Sequence, residues 1–124
     1  MTGPTTLAEW VRRVNDDPEN AHIGRWSSFV LRAGVDDGPD VLLRYDRAVL
    51  SVEPVAGDAA ADIELRGPRS AWRELADASA APRRHDLLAL SKAPDGIRIT
   101  GGRDQLLRHL RVLNRLVELG RTDD

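Results

Sequence analysis

A histidine stands next to an aspartate at His85-Asp86, just before the apolar segment 87–90. A histidine and a carboxylate can move a proton when the carboxylate orients the imidazole. Neighbouring residues of a short helix point in different directions, so His85 and Asp86 do not form such a pair with each other. We interpret their roles as local: Asp86 caps free amide groups at a helix start, and His85 hydrogen-bonds across the loop.

Metal, nucleophile and phosphate-loop chemistry find little support in the sequence. The histidines are His22, His85 and His109, and none is paired at the short spacing that metal sites favour. The absence of cysteine excludes disulfides and thiolate metal ligands. No Gly-x-Ser-x-Gly elbow is present, and Gly101-Gly102 opens no phosphate loop, so we expect only a turn there. The sequence therefore predicts no cofactor, no metal and no catalytic residue.

Arginines supply the candidates for polar recognition. Arg108, Arg111 and Arg115 recur at helical spacing, and Arg83 and Arg84 stand near the short apolar segment. Guanidinium groups match the oxygens of a phosphate-bearing head group such as that of coenzyme A or a phospholipid. We name Arg83, Arg84, Arg108 and Arg111 as candidate head-group contacts. The pattern itself favours the other interpretation, a solvated helix face.

Composition narrows the class of protein and of partner. The 124 residues are 41% hydrophobic and 31% charged, as in ordinary globular domains, and the net charge is −2. Duplex binding depends on a basic surface, so we exclude nucleic acid as a partner. No apolar run approaches the roughly 18 residues of a membrane span, and no secretory signal opens the chain. We expect a cytoplasmic protein, with transient contact to a membrane left open.

Hydrophobic periodicity predicts an α+β fold in the order α-β-β-β-β-α-α-β-α. A five-stranded mixed or antiparallel sheet is expected, with helices covering one of its faces. A polar connector is expected at 18–25. The strands are predicted at 27–33, 41–46, 48–53, 62–66 and 97–101. The helices are predicted from 6 to about 17, from 68 to Pro82, over 87–90, and from 103 to about 119.

The second half of the chain resembles the sterol carrier protein 2 family, above all its small stand-alone bacterial members. The segments that carry the resemblance are Trp72, Ala81-Pro82, 85–90, 97–101 and 119–121. One departure is that the acidic residue expected directly after the glycine of the fifth strand stands two positions later, at Asp104. The resemblance covers residues from about 26 to 121. From the chain length we expect one domain over 1–124, with a core at about 6–120 and a short disordered tail at 121–124.

The resemblance also implies an apolar tunnel for a sterol, a fatty acid or an acyl-CoA between sheet and helices. The closing helix supports this, because its apolar stripe is wider than a surface helix needs. We predict that the tunnel is lined by Phe29, Leu31, Leu43, Leu50, Leu65, Trp72, Leu87, Leu88, Ile97, Leu110, Leu113 and Val117.

Two other interpretations of this apolar surface remain open. The first is a small enzyme acting on an apolar natural product or lipid, with Asp62, Glu64 and His85 as the groups to inspect. The second is a ligand-free interface for a partner or a second copy of the chain. The sequence allows either a monomer or a homodimer.

Overall fold

A computed structural model describes residues 7–55, 57, 59–76 and 96–120. It shows an α+β fold with one five-stranded sheet, which confirms the predicted fold class. The short helix predicted over 87–90 and the tail at 121–124 lie outside the described residues. The elements are α1 (Leu7–Asp16), α2 (Pro18–Ile23), β1 (Ser28–Val35), β2 (Asp40–Asp46), β3 (Val49–Val55), β4 (Ile63–Gly67), α3 (Arg69–Ala76), β5 (Arg98–Gly101), α4 (Arg103–Arg108) and α5 (Leu110–Leu119).

The sheet has the strand order β3-β2-β1-β4-β5 and is mixed. β1 pairs antiparallel with β2, β2 with β3, and β4 with β5, whereas β1 and β4 run parallel. The β2–β3 hairpin closes through Arg47 and Ala48, whose φ angles of 48° and 72° are those of a two-residue hairpin turn. β3 lies at one edge of the sheet, and β4 lies on the far side of β1 and β2. The chain between β3 and β4 therefore crosses the sheet.

Residues 18–23 form a helix, and the prediction of a polar connector there was wrong. Pro18 ends α1, but proline also suits the first turn of a new helix, where no amide hydrogen is needed. Asp17 caps this helix by accepting a 2.8 Å hydrogen bond from the backbone N–H of Asn20.

The helix predicted from 103 to about 119 has the expected bounds but is interrupted at His109. This residue has φ −104° and ψ 18°, and it separates α4 from α5. Gly102 begins α4 in the left-handed region with φ 73°, and a side chain there would overlap the backbone carbonyl of Asp62. Only glycine fits this close approach. No side chain caps the start of α4, so the turn does not need an acidic residue directly after Gly101. The displacement of that residue to Asp104 is compatible with this geometry.

α1 is fastened to both the sheet and the closing helix. The Asn15 amide nitrogen donates to the carbonyl oxygen of Leu50 at 3.1 Å, and its amide oxygen accepts from the Leu50 N–H at 2.8 Å. The Trp10 indole N–H donates to the carbonyl oxygen of Leu116 at 2.8 Å. These bonds position α1 beside β3 and against α5.

A buried amide joins α2 to the sheet. The Asn20 side chain is 1% exposed and donates to the carbonyl oxygens of Val14 at 3.0 Å and Ala48 at 2.8 Å. Its amide oxygen accepts from the Tyr45 hydroxyl at 2.5 Å. Burial raises the pKa of Tyr45 to about 12. The whole amide is thus satisfied inside the core, as a buried polar group must be.

An ion pair joins α2 to α5. The Arg115 guanidinium donates to both carboxylate oxygens of Asp17, at 2.8 and 3.0 Å. These hydrogen bonds lower the pKa of Asp17, against the opposing effect of burial and with help from the Asn20 N–H. Arg115 also contacts Glu118 at 3.0 Å.

The face of the sheet turned away from the helices, which we call the outer face, carries mostly polar side chains, although Leu42 is buried on it. Its central feature is Asp40, which is 7% exposed and contacts Arg32 at 2.7 Å and Arg66 at 2.8 Å. Burial opposes ionisation of Asp40, but the hydrogen bonds from both arginines outweigh it and lower its pKa. The apolar core therefore lies on the other, inner face.

Candidate functional site

The inner face carries three apolar cross-strand rows, because alternate residues of a strand point to the same side. The register defines them. The first row is Phe29, Tyr45 and Leu50; the second is Ile63, Leu31, Leu43 and Val52; the third is Ile99, Leu65, Ala33 and Val41.

Coverage of these rows differs along the strands. The first row is buried, and the second is buried except for Val52. In the third row Leu65 is buried, whereas Val41, Ala33 and Ile99 are only half-buried. We call these three residues the half-buried row. They form an apolar strip that the helices cover less completely than the rest of the inner face.

Trp72 stands at the same end of the sheet as the half-buried row. Its indole N–H donates to the carbonyl oxygen of Gly34 at 3.0 Å, next to Ala33 on β1. The side chain is half-buried and packs against the core. The hydrogen bond fixes the orientation of a large apolar ring beside the strip.

The closing helix adds further half-buried apolar surface next to the core. α5 buries Val112, Leu113 and Leu116, while Leu110 and Val117 remain half-buried against the core. α5 also contacts α3, the helix of Trp72. Three half-buried apolar surfaces therefore come from the sheet, α3 and α5.

The predicted lining residues divide into two groups according to burial. Trp72, Leu110 and Val117 are half-buried. Leu87 and Leu88 lie outside the described residues. The members that belong to the buried core are Phe29, Leu31, Leu43, Leu50, Leu65, Ile97 and Leu113.

The candidate head-group arginines are only partly described. Arg108 and Arg111 are exposed, on α4 and α5 respectively, and Arg83 and Arg84 lie outside the described residues. Arg115, which the spacing placed in the same stripe, is engaged by Asp17 instead. The interruption at His109 also changes the helical spacing between Arg108 and Arg111.

His109 packs on the inner face at the end of the sheet where β1 begins. Its ring centroid lies 4.8 Å from that of Phe29, which in turn stacks on Tyr45 at 5.1 Å. Burial, followed by the charge of Arg108, lowers the pKa of His109, while Asp62 opposes this effect. His22 is instead an exposed partner of Arg25, and His85 and Asp86 lie outside the described residues.

The carboxylates named for an enzyme lie away from the half-buried row. Asp62 accepts a hydrogen bond from the Val30 N–H at 2.9 Å, near the start of β1. Glu64 pairs with Arg32 in the register of β4 and β1, and so belongs to the outer face. Within the described ranges, no group of three or more His, Asp or Glu residues could hold a metal ion.

An open depression of about 390 Å³ lies near the start of β1, at the far end of the sheet from Trp72. Three charged side chains contribute to its lining, which makes it a poor site for an apolar molecule. It is lined by Ser28, Phe29, Val30, Arg44, Tyr45, Asp46 and Asp62.

Solved structures share this architecture. A crystal structure of sterol carrier protein 2 is 18% identical, with a TM-score of 0.73 over 93% of this chain and 92% of that one. TT1886, a conserved hypothetical protein from Thermus thermophilus, is 18% identical, with a TM-score of 0.63 over 100% of this chain and 94% of that one.

A third structure, of a UbiJ-SCP2 ubiquinone synthesis protein, is 21% identical, with a TM-score of 0.63 over 91% of this chain and 85% of that one. No family model and no curated protein sequence matches the chain. The likeness to sterol carrier protein 2 inferred from the sequence is thus confirmed at the level of the fold.

Proposed function

We propose that this protein binds a lipid-like apolar molecule, such as a sterol, a fatty acid or an acyl-CoA, in a carrier or sequestering role. The observation that carries the proposal is the half-buried row beside Trp72, in the fold that sterol carrier protein 2 also has. The cytoplasmic location and the choice between monomer and homodimer stay predictions from the sequence.

The ligand site in this proposal lies over Val41, Ala33 and Ile99, between the sheet and α5. Trp72 forms its end, and Leu110 and Val117 form the helix side. Binding is driven by transfer of apolar surface out of water, about 0.8 kcal/mol for each methylene group buried. No side chain needs to react with the ligand.

The buried members of the predicted lining have a supporting role in this arrangement. Leu65 lies within the third row itself and Leu113 faces the core from α5, so both form the floor and wall behind the half-buried residues. Phe29 is already packed between Tyr45 and His109. A ligand that reached Phe29 would have to displace one of those rings.

An Ala33→Phe substitution tests the location of the site. The added ring projects from the centre of the half-buried row into the volume that the ligand would occupy. We expect the affinity for a fluorescent fatty acid to fall at least about tenfold, while the free energy of unfolding falls by only about 1 to 3 kcal/mol, so that the protein stays folded.

The matched control is Val30→Phe, a half-buried position on the outer face of the same strand. This variant should bind the fatty acid like the wild type. Equal affinity in all three proteins would refute the location, and a fatty acid that does not bind the wild type at all would count against the function.

Native mass spectrometry of the purified protein, with size-exclusion chromatography, distinguishes the carrier from the two alternatives, a small enzyme and a ligand-free interface. A co-purified lipid mass supports the carrier, and an empty obligate dimer supports an interface. Release of a chemically altered lipid would favour an enzyme.

A further inference from the structure

Trp26 is exposed in a way that sets it apart from the other tryptophans. Its side chain is 83% exposed, compared with 60% for Val49, the next most exposed large hydrophobic residue of the described chain. Trp10 and Trp72 are half-buried, and each donates its indole N–H to a backbone carbonyl oxygen. Because exposing so much apolar ring surface to water is unfavourable, Trp26 is a candidate contact for a membrane or another molecule.

Trp26 lies at a corner formed by two neighbouring turns. It precedes β1, and the carbonyl oxygen of the adjacent Ser27 accepts a 2.8 Å hydrogen bond from the backbone N–H of Arg47 in the β2–β3 turn. Val49 follows that turn at the start of β3. We call Arg25, Trp26, Arg47 and Val49 the Trp26 corner.

The charge of the corner is positive. Arg25, next to Trp26 in the chain, and Arg47, on the neighbouring turn, are both exposed. Arg25 donates to the carbonyl oxygen of His22 at 2.7 Å, which orients its guanidinium without neutralising it. Asp46, next to Arg47, is exposed too and accepts a 2.7 Å hydrogen bond from the Ser28 hydroxyl; its one negative charge offsets part of the charge of the two arginines, and the balance stays positive.

We propose that the Trp26 corner docks this protein onto a membrane surface that carries anionic lipids. Tips of turns are convex, and a convex apolar tip can enter the soft head-group region of a bilayer without a complementary pocket. Tryptophan favours that region because its ring is apolar and its N–H is polar. Arg25 and Arg47 attract anionic phosphates within a Debye length.

The docking is peripheral and reversible. None of the helices in the described part of the chain has the length and apolar character needed to traverse a bilayer. One aromatic ring and two cations provide a weak anchor that a change of salt or lipid composition can release. This corner is at the opposite end of the strands from the half-buried row, so the inference does not depend on the ligand site.

The test measures co-sedimentation of the full chain with vesicles of phosphatidylcholine containing phosphatidylserine, and with phosphatidylcholine alone. We expect binding only to the anionic vesicles, and its loss at high salt. Trp26→Ser should weaken it by at least about tenfold. Arg25→Gln together with Arg47→Gln should weaken it about fivefold for each charge removed. Trp26→Phe should restore part of the binding.

The charge-matched control is Arg12→Gln together with Arg103→Gln, at exposed positions on α1 and α4. It should bind more tightly than the Arg25 and Arg47 variant. All variants change exposed side chains, and unfolding curves like that of the wild type will show that each is folded. A wild type that ignores every vesicle, or corner variants that bind like the wild type or the control, would overturn the proposal and leave the corner to a protein partner.

Discussion

Removing the Asn20 amide should destabilise the protein more than any other single loss of a hydrogen-bonding side chain described above. Asn20→Ala leaves the Tyr45 hydroxyl and the carbonyl oxygens of Val14 and Ala48 without their amide partner. At about 1 to 1.5 kcal/mol for each hydrogen bond, the unfolding free energy should fall by about 3 to 4 kcal/mol.

Urea unfolding followed by far-UV circular dichroism measures this loss. Asn15→Ala is the matched control, because Asn15 also makes two hydrogen bonds to backbone groups but is exposed. Water can replace its bonds, so the control should lose only about 1 kcal/mol. The two asparagines then differ in burial and in the third hydrogen bond, which Asn20 accepts from the Tyr45 hydroxyl.

A double-mutant cycle with Tyr45→Phe isolates the central bond. Alone, Tyr45→Phe should cost about 1 to 1.5 kcal/mol, whereas in the Asn20→Ala background it should cost almost nothing, because the hydroxyl has already lost its acceptor. Equal costs in the two backgrounds, or an Asn20→Ala variant as stable as Asn15→Ala, would refute this account of the buried amide.

Three further predictions concern titration and backbone geometry. Tyr45 is the only tyrosine, so absorbance at the phenolate band should report its pKa of about 12 directly. Because this pKa is raised on folding, the stability linked to it should be intact below the unfolded pKa of about 10. That stability should be lost as the pH rises through 12. The lowered pKa of Asp17 predicts the opposite behaviour in acid: stability present above pH 3.8 is lost as the pH falls through the folded pKa, and Arg115→Gln should shrink that loss in chemical denaturation at a series of pH values. Gly102→Ala should lower the thermal midpoint far more than Gly57→Ala, because both have positive φ but a side chain meets backbone only at Gly102; equal shifts would show that strain alone matters.

The sheet could be predicted from the sequence because strand alternation has a fixed period. The inner-face phase expected for β1 and β2 holds residue by residue, from Phe29 and Leu31 to Leu43 and Tyr45. The hydrophobic pattern of a strand directly records which face is buried. The parallel pairing of β1 with β4 was open, since a linker that crosses the sheet allows either direction.

Helix α2 and the interruption at His109 were not predictable in the same way. Pro18 signals both the end of one helix and the start of another, and only the cap from Asp17 decides between them. The partners of Asn20 are carbonyl oxygens and a hydroxyl that lie up to 28 positions away in the sequence, so its burial leaves no local pattern.

Only part of the candidate site was predictable. Ala33, Val41 and Ile99 were not among the predicted lining residues, because how far each is covered depends on where α3 and α5 lie. Trp72 was correctly expected to face inward, while its bond to Gly34 requires the tertiary arrangement. The exposure of Trp26 left no periodic signal, because it stands in a turn.

The Asn15 side chain has a consequence for how copies of this protein meet in concentrated solution. By occupying both the N–H and the C=O of Leu50, the second residue of β3, it blocks the start of an outermost strand against recruitment of a neighbour's strand. The opposite margin of the sheet, β5, offers only four residues to such pairing. Aggregation by edge-to-edge strand pairing is therefore disfavoured at both edges of the sheet. Asn15→Ala should increase aggregation by more than its small loss of stability explains.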